Sequence, residues 1–213
     1  MKKSAVIAAL LLVLSGCEST YYGAWEKVGV HKRDILIDRI EDTQEAQEDA
    51  QEEFKDALEQ YRSVVNFDGG NLEKLYNKLN AEYEDSAEAA QAITDHIDSV
   101  ENVAEDLFDE WEKELEQYSS ASLRRSSAKQ LHDTRYQYTQ LIRTMRRAEK
   151  SVQPVLRTLN DQVLYLKHNL NARAIAALKG ELGSINTDVN RLINEMQKSI
   201  DQANAFIERI KQD

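Results

Sequence analysis

Cys17 is the residue whose surroundings most clearly predict a chemical event. It closes the sequence Leu14-Ser15-Gly16-Cys17 and is the only cysteine among 213 residues. Leucine three residues before a cysteine, with small residues between them, is typical of a lipobox, at which a peptidase cuts and the thiol then carries diacylglycerol. An intrachain disulfide is excluded because the chain has no second thiol. We therefore predict lipid attachment at Cys17, the alternative being an ordinary secretory signal with an incidental cysteine.

The residues around the lipobox predict a signal peptide over 1–16 and a tether over 17–23. Met1-Lys2-Lys3 is a positive start, and the apolar run 5–14 is shorter than the roughly 20 residues of a membrane-spanning helix. Each buried acyl methylene contributes about 0.8 kcal/mol, so two or three chains anchor the protein firmly. Glu18 follows the cysteine where lipoproteins kept in the inner membrane typically carry Asp. We therefore expect the inner leaflet of the outer membrane, facing the periplasm.

The histidines do not form a metal-binding or catalytic pattern. A di-iron bundle needs Glu-x-x-His pairs, but none of the histidines at 31, 96, 132 and 168 has an acidic residue three positions earlier. The HExxH, GxSxG, Walker and GxGxxG motifs do not occur in the sequence either. We therefore predict no catalytic residue, no metal and no cofactor, and a protein that is not an enzyme.

Charge is divided unevenly along the chain. Residues 38–118 carry 26 acids and 6 bases, whereas residues 119–213 carry 9 acids and 16 bases. Acidic helices that pack beside basic ones would explain this division. The alternative is that the basic half meets an anionic surface, such as phospholipid head groups. Nucleic acid is not expected as a partner of a lipidated chain with a net charge of −11.

Apolar residues recur at helical spacing from about residue 25 to the C-terminus, and only one proline interrupts the chain. Each stripe of spacings three and four needs a partner to bury it. Short polar or glycine-containing breaks separate segments of similar length, which favours antiparallel neighbours. We predict an all-α, elongated antiparallel four-helix bundle with coiled-coil-like packing over 24–213. Its helices are predicted at 25–66, 71–118, 123–168 and 173–211.

Three details of these stripes carry expectations of their own. Thr43 and Gln47 occupy core positions of the first stripe, where polar residues fix register. The serine-rich residues 119–122 favour a turn, the alternative being a continuous helix. Gly180 and Gly183 lower the helix propensity of the last segment, either to allow close helix approach or simply by loosening it.

The third predicted helix offers a candidate surface for an anionic partner. Its outer face is basic, and a polar cluster at the following helix corner contains His168. The alternative for this corner is that its side chains cap two helix ends. The candidate partner-surface residues are Arg143, Arg146, Arg147, Lys150 and His168.

Four stretches also resemble a catalogued family. They are Tyr21–Leu36, Val64–Gly70, Ala121–Arg125 and Gln162–Ile175, spread over the whole mature chain. They are similar to segments of a bacterial lipoprotein family known as domain of unknown function 2959. The resemblance implies a helical, lipid-anchored envelope protein of Gram-negative bacteria, and it implies no activity.

Together these features predict a lipid-anchored, periplasm-facing structural or interaction protein. Its expected partners are the membrane, through the N-terminal lipid, and an unidentified envelope protein, and the bundle also allows a homo-oligomer. The second hypothesis is a lipid- or amphiphile-binding helical module that opens along a seam. An enzyme is the third.

Overall fold

Residues 32–212 form four helices and no strand in the computed structural model, which describes this part of the chain. Helix α1 is Lys32–Val65, α2 is Leu72–Leu115, α3 is Ala121–His168 and α4 is Ala172–Ile210. The predicted all-α bundle is confirmed. The signal peptide, the lipobox, Glu18, the tether and residues 25–31 of the first predicted helix lie outside the described residues.

The helices form a ring in chain order, because α1 packs against α2 and α4, and α3 packs against the same two helices. The short connections at 66–71, 116–120 and 169–171 reverse the direction of the chain each time. Lys32 forms an ion pair with Glu110 at one end, while Tyr61 donates a hydrogen bond to the Leu178 carbonyl towards the other. We call the end with the start of α1 and the connection 116–120 the near end, and the opposite end the far end.

The predicted stripes supply the core. In α1 the positions that recur at spacings of three and four are all buried, including the polar Thr43 and Gln47. They are Leu36, Ile40, Thr43, Gln47, Ala50, Phe54, Ala57, Tyr61 and Val64. The hydroxyl of Thr43 donates to the Arg39 carbonyl at 2.8 Å, whereas neither amide atom of Gln47 has a hydrogen-bond partner in the protein. The small residues Ala90, Ala104 and Ala148 are also buried.

Side-chain caps define where the helices begin. Asn71 accepts a hydrogen bond from the Lys74 N–H, Ser120 from the Leu123 N–H, and Asn171 from two N–H groups of α4. Gly69 and Gly70 have φ angles of +139° and +114°, which favour glycine after α1.

The second helix ends earlier than its apolar period suggests. Its last residue is Leu115, three before the predicted end, and the connection 116–120 breaks the helix before Ala121. The alternative of a continuous helix through this region is therefore wrong. Tyr118, which continues the seven-residue series, lies in this connection and is 41% exposed. Ser120 favours this break, because its side chain caps the next helix.

Gly180 and Gly183 both lie inside α4, where a β-carbon would meet no atom within 4 Å. Close helix approach therefore does not explain them.

Candidate functional site

The basic residues of α3 divide between two sides of the helix. Arg143, Arg147 and Lys150 are exposed and form no ion pair with another described residue. Arg157, two turns further on, is exposed as well. We call these four residues the basic face.

Arg146 points to a different place, the contact between α3 and α2. Its guanidinium forms ion pairs with Asp98 and Glu101 of α2 and with Glu149 of its own helix. Hydrogen bonding to Glu101, and then to Asp98 and Glu149, raises the pKa of Arg146. The charge of Arg146 therefore holds two helices together and is not free for an external anion.

His168 is the last residue of α3 and lies exposed at the far end, away from the basic face. The polar residues beside it satisfy backbone groups. Asn169 donates from its side chain to the Tyr165 carbonyl, and Asn171 accepts from the Arg173 and Ala174 N–H groups. This corner is built as a pair of helix caps.

The structure also contains an acidic groove that the sequence did not single out. It lies between α1 and α2, encloses about 430 Å³ and has a floor of small residues, Ala46, Ala89 and Ala92. No lysine or arginine lines it, whereas one histidine, His96, does. The acidic residues that line it are Asp42, Glu45, Asp49, Glu52, Glu53, Asp85 and Glu88.

Negative charge is concentrated enough in this groove to perturb its carboxyl groups. Single oxygens of Glu53, Glu82 and Asp85 all lie within 4.8 Å of one another. Partial burial, and then repulsion by Asp85 and Asp56, raises the pKa of Glu53. Burial, and then repulsion by Asp56 and Asp85, raises the pKa of Glu82 as well. The groove thus attracts positive charge.

The sequence contains a signal for the acidic groove and for the role of Arg146, but the periodicity of the apolar residues does not show it. Glu53 directly precedes the core residue Phe54, Asp85 precedes Ser86, and Arg146 follows Met145. Residues next to core positions lie at the edge of a helix contact and are partly covered by the neighbouring helix. This signal does not separate Arg146 from Arg147, because Arg147 directly precedes the buried Ala148 and is nevertheless exposed.

Other polar side chains form contacts between helices or within one helix. Trp111 donates to the Ser127 hydroxyl at 2.8 Å, and Arg135 lies over the Phe108 ring with its carbon 5.0 Å from the ring centre. His132 contacts Asp133 at 3.2 Å on the surface. Within residues 32–212, no helix has a stretch apolar enough and long enough to cross a bilayer. What the surface offers chemically is electrostatic binding, by an acidic groove and a basic face.

Comparison with known proteins places the chain in a family. Residues 21–210 match the family model described as protein of unknown function (DUF2959). No curated protein and no solved structure matches the chain. Because the match covers most of the sequence, the chain belongs to this family.

Proposed function

We propose that this protein is a non-enzymatic structural or interaction protein of the bacterial envelope, held by lipid on Cys17 at the inner leaflet of the outer membrane. The observation that carries the proposal is the sequence Leu14-Ser15-Gly16-Cys17 after a short apolar segment. Glu18, next to the lipidated residue, supports the outer membrane over the inner one.

The way in which the bundle uses its polar groups supports an interaction role. Arg146, Arg135 and Trp111 connect α2 to α3, while Tyr61 and Gln44 connect α1 to α4. The basic face and the acidic groove lie outside these contacts and expose charge to the surroundings. Such a rod presents charged sides to other molecules along its length.

The second candidate, an amphiphile-binding module, requires a seam of the bundle to open. The small residues that would give it room are Ala90, Ala104 and Ala148, which lie buried among core side chains. A lipid found with the delipidated, purified protein by mass spectrometry would favour this candidate over a structural role.

The anchor is tested by Cys17→Ala in cells, followed by membrane fractionation at high salt. We expect the variant to fold and to leave the membrane fraction, because the lipid supplies the attachment. Glu18→Asp is the matched control, which should stay membrane-bound but move towards the inner membrane. If the Cys17→Ala protein still sediments with membranes at high salt, the proposal is wrong.

The interaction role is tested by photocrosslinking in cells from Arg147, followed by identification of the crosslinked protein. We expect a specific protein product, either an envelope protein or a second copy. Crosslinking that yields neither, from Arg147 and from a groove position such as Asp49, would contradict the role.

A further inference from the structure

We propose that the basic face of α3 docks into the acidic groove of a second copy of this chain, so that copies assemble side by side. This inference deepens the proposed interaction role, rests on it, and names the partner. It starts from two oppositely charged surfaces that one molecule cannot bring together.

The basic face has the spacing of a helix built to contact another helix. Tyr136, Arg143, Lys150, Arg157 and Leu164 lie seven residues apart, and therefore on one side of α3. Tyr136 is 63% exposed and Leu164 is 46% exposed, so apolar surface flanks the cations at both ends. Between residues 143 and 157 the only acid is Glu149, and it is paired with Arg146.

The acidic groove has the shape and charge to receive such side chains. Its alanine floor leaves a depression about 430 Å³ in volume, into which arginine and lysine side chains can reach. Of the seven acidic residues that line it, only Asp42 forms an ion pair with a described residue of the same chain, Arg39, so most of its negative charge has no cation beside it. Partial burial, and then repulsion by neighbouring carboxylates, raises the pKa of Glu53. A guest cation would relieve this repulsion.

The two surfaces cannot meet within one chain. In the ring of helices α3 packs against α2 and α4, and α1 lies diagonally opposite to it. The groove is formed on the outside of α1 and α2, whereas the basic face is on the outside of α3. A second molecule is therefore needed to bring the two charges into contact.

Their positions along the rod match. Ser86 donates to the Glu53 carbonyl, which places the groove at this level of α1 and α2. Arg146 binds Asp98 and Glu101, so the part of α3 from residue 146 towards the far end lies beside the part of α2 that lines the groove. Residues 143–157 span about 21 Å of helix, and residues 42–53 of the groove span about 17 Å. Two parallel rods anchored by the same end thus bring the surfaces together without an offset.

The net charge of −11 does not prevent this contact. The screening length at physiological ionic strength is about 8 Å, so charges beyond the contact repel weakly. Ion pairs of the same kind already join two helices of one molecule, where Arg146 and Arg135 of α3 bind carboxylates of α2. Each copy carries both surfaces, and the basic face of one copy contacts the groove of the next. Because the two contacting surfaces differ, the contact is heterologous and repeats from copy to copy, which gives a row of parallel rods.

The test measures association of the full chain, purified from cells in a non-ionic detergent, by sedimentation velocity at several salt concentrations. Three variants reverse three charges each, and all their side chains are exposed. The basic-face variant is R143E/R147E/K150E, and the groove variant is E45K/D49K/E88K. The control variant is R173E/K179E/R209E, whose three residues lie in α4, outside both surfaces.

We expect the wild type and the control to associate at low salt and to dissociate as salt is raised. The apparent affinity of self-association should fall about tenfold or more in the basic-face variant and in the groove variant, because like charges then face each other. A one-to-one mixture of the basic-face and groove variants should associate again, since their altered surfaces are complementary. Circular dichroism establishes that each variant is folded, and R143Q/R147Q/K150Q replaces the reversal if it is not.

Three results would overturn the proposal. They are a wild type that stays monomeric at low salt, a basic-face variant that associates like the wild type, and a mixture that fails to recover. A monomeric wild type whose basic face is required to bind phosphatidylglycerol vesicles would assign this face to membrane instead. These outcomes are independent of the Cys17→Ala fractionation, so a failure of the anchor and a failure of the pairing are told apart.

Discussion

Gln47 is the core residue whose chemistry fits its surroundings least. Its side chain is fully buried, and neither its amide oxygen nor its amide nitrogen has a hydrogen-bond partner in the protein. Leaving a buried polar group unsatisfied costs about 1–3 kcal/mol. Polar core residues of this kind fix the register of helices at the expense of stability.

We expect Gln47→Met to raise the free energy of unfolding by about 1–3 kcal/mol, because methionine keeps a similar shape and has no group to satisfy. Urea denaturation measures the change. Gln44→Met is the control, since the Gln44 amide donates to the Ile200 carbonyl and to Asn204. A loss of stability in Gln47→Met would contradict the expectation, as would an equal gain in the control.

Glu53 and Glu82 give the protein a pH dependence of definite sign. Burial and neighbouring aspartates raise their pKa above the ordinary value of 4.5. The folded protein therefore holds these protons more tightly than the unfolded chain does. The stability that they contribute is fully present below pH 4.5 and is lost as pH rises through the raised pKa of the folded state.

The double variant Glu53→Gln/Glu82→Gln should accordingly be more stable than the wild type at pH 7, by less than about 1 kcal/mol for each substitution. The difference should vanish as the pH approaches 4. Thermal melting between pH 4 and 8 measures it, and Glu59→Gln, an exposed acid outside this cluster, is the control. A double variant whose advantage grows on acidification would refute the sign.

At the scale of the helices, sequence periodicity predicted which residues are buried. The positions predicted in α1 from Leu36 to Val64 are all in the core, because burial repeats with the same period as the helix. The end of α2 was not predicted correctly, since Tyr118 continues the period although Ser120 caps the next helix. Periodicity reports the buried side of a helix, whereas local hydrogen bonds decide where the helix stops.

The candidate site was less predictable for a similar reason. Arg143, Arg146 and Arg147 are close in sequence and identical in type, yet only Arg146 is held by carboxylates of α2. Which helix lies beside each edge depends on the order of helices around the ring, and a single stripe does not contain this information. The acidic groove requires two helices at once, so neither stripe reveals it alone.

The two glycines of α4 offer a gain in stability. Gly180 and Gly183 are exposed, have room for a β-carbon and lie inside the helix. We expect Gly180→Ala and Gly183→Ala each to stabilise the protein by about 1 kcal/mol, because alanine loses less conformational freedom on folding. Gly69→Ala is the contrasting control, since its φ of +139° strains any other residue. Urea denaturation that found the α4 variants less stable would contradict this prediction.

For the whole molecule, the ring of helices assigns each connection to one end. The connection 116–120 is at the near end with the start of α1, and 66–71 and 169–171 are at the far end. Helix α1 alone separates the two ends by about 50 Å. If lipid on Cys17 anchors the chain, the near end lies closer to the membrane.

A fluorophore on Ser122→Cys should therefore be quenched by lipids with nitroxide head groups more strongly than one on Asp68→Cys. Both positions are exposed, and they lie at opposite ends of the bundle. The matched control is Cys17→Ala in each labelled protein, which should remove quenching at both positions. Stronger quenching at Asp68 would contradict the orientation.

The closed ring also has a mechanical consequence. The end of α4 lies beside α1, where Lys211 forms an ion pair with Glu41, so the first and last helices are joined along their lengths. A force between the near end of α1 and the end of α4 would peel these two helices apart one layer after another. A force between the near end and the far end would instead load all the packed layers at the same time. The rod should thus resist tension along its axis far better than separation of its two outermost helices.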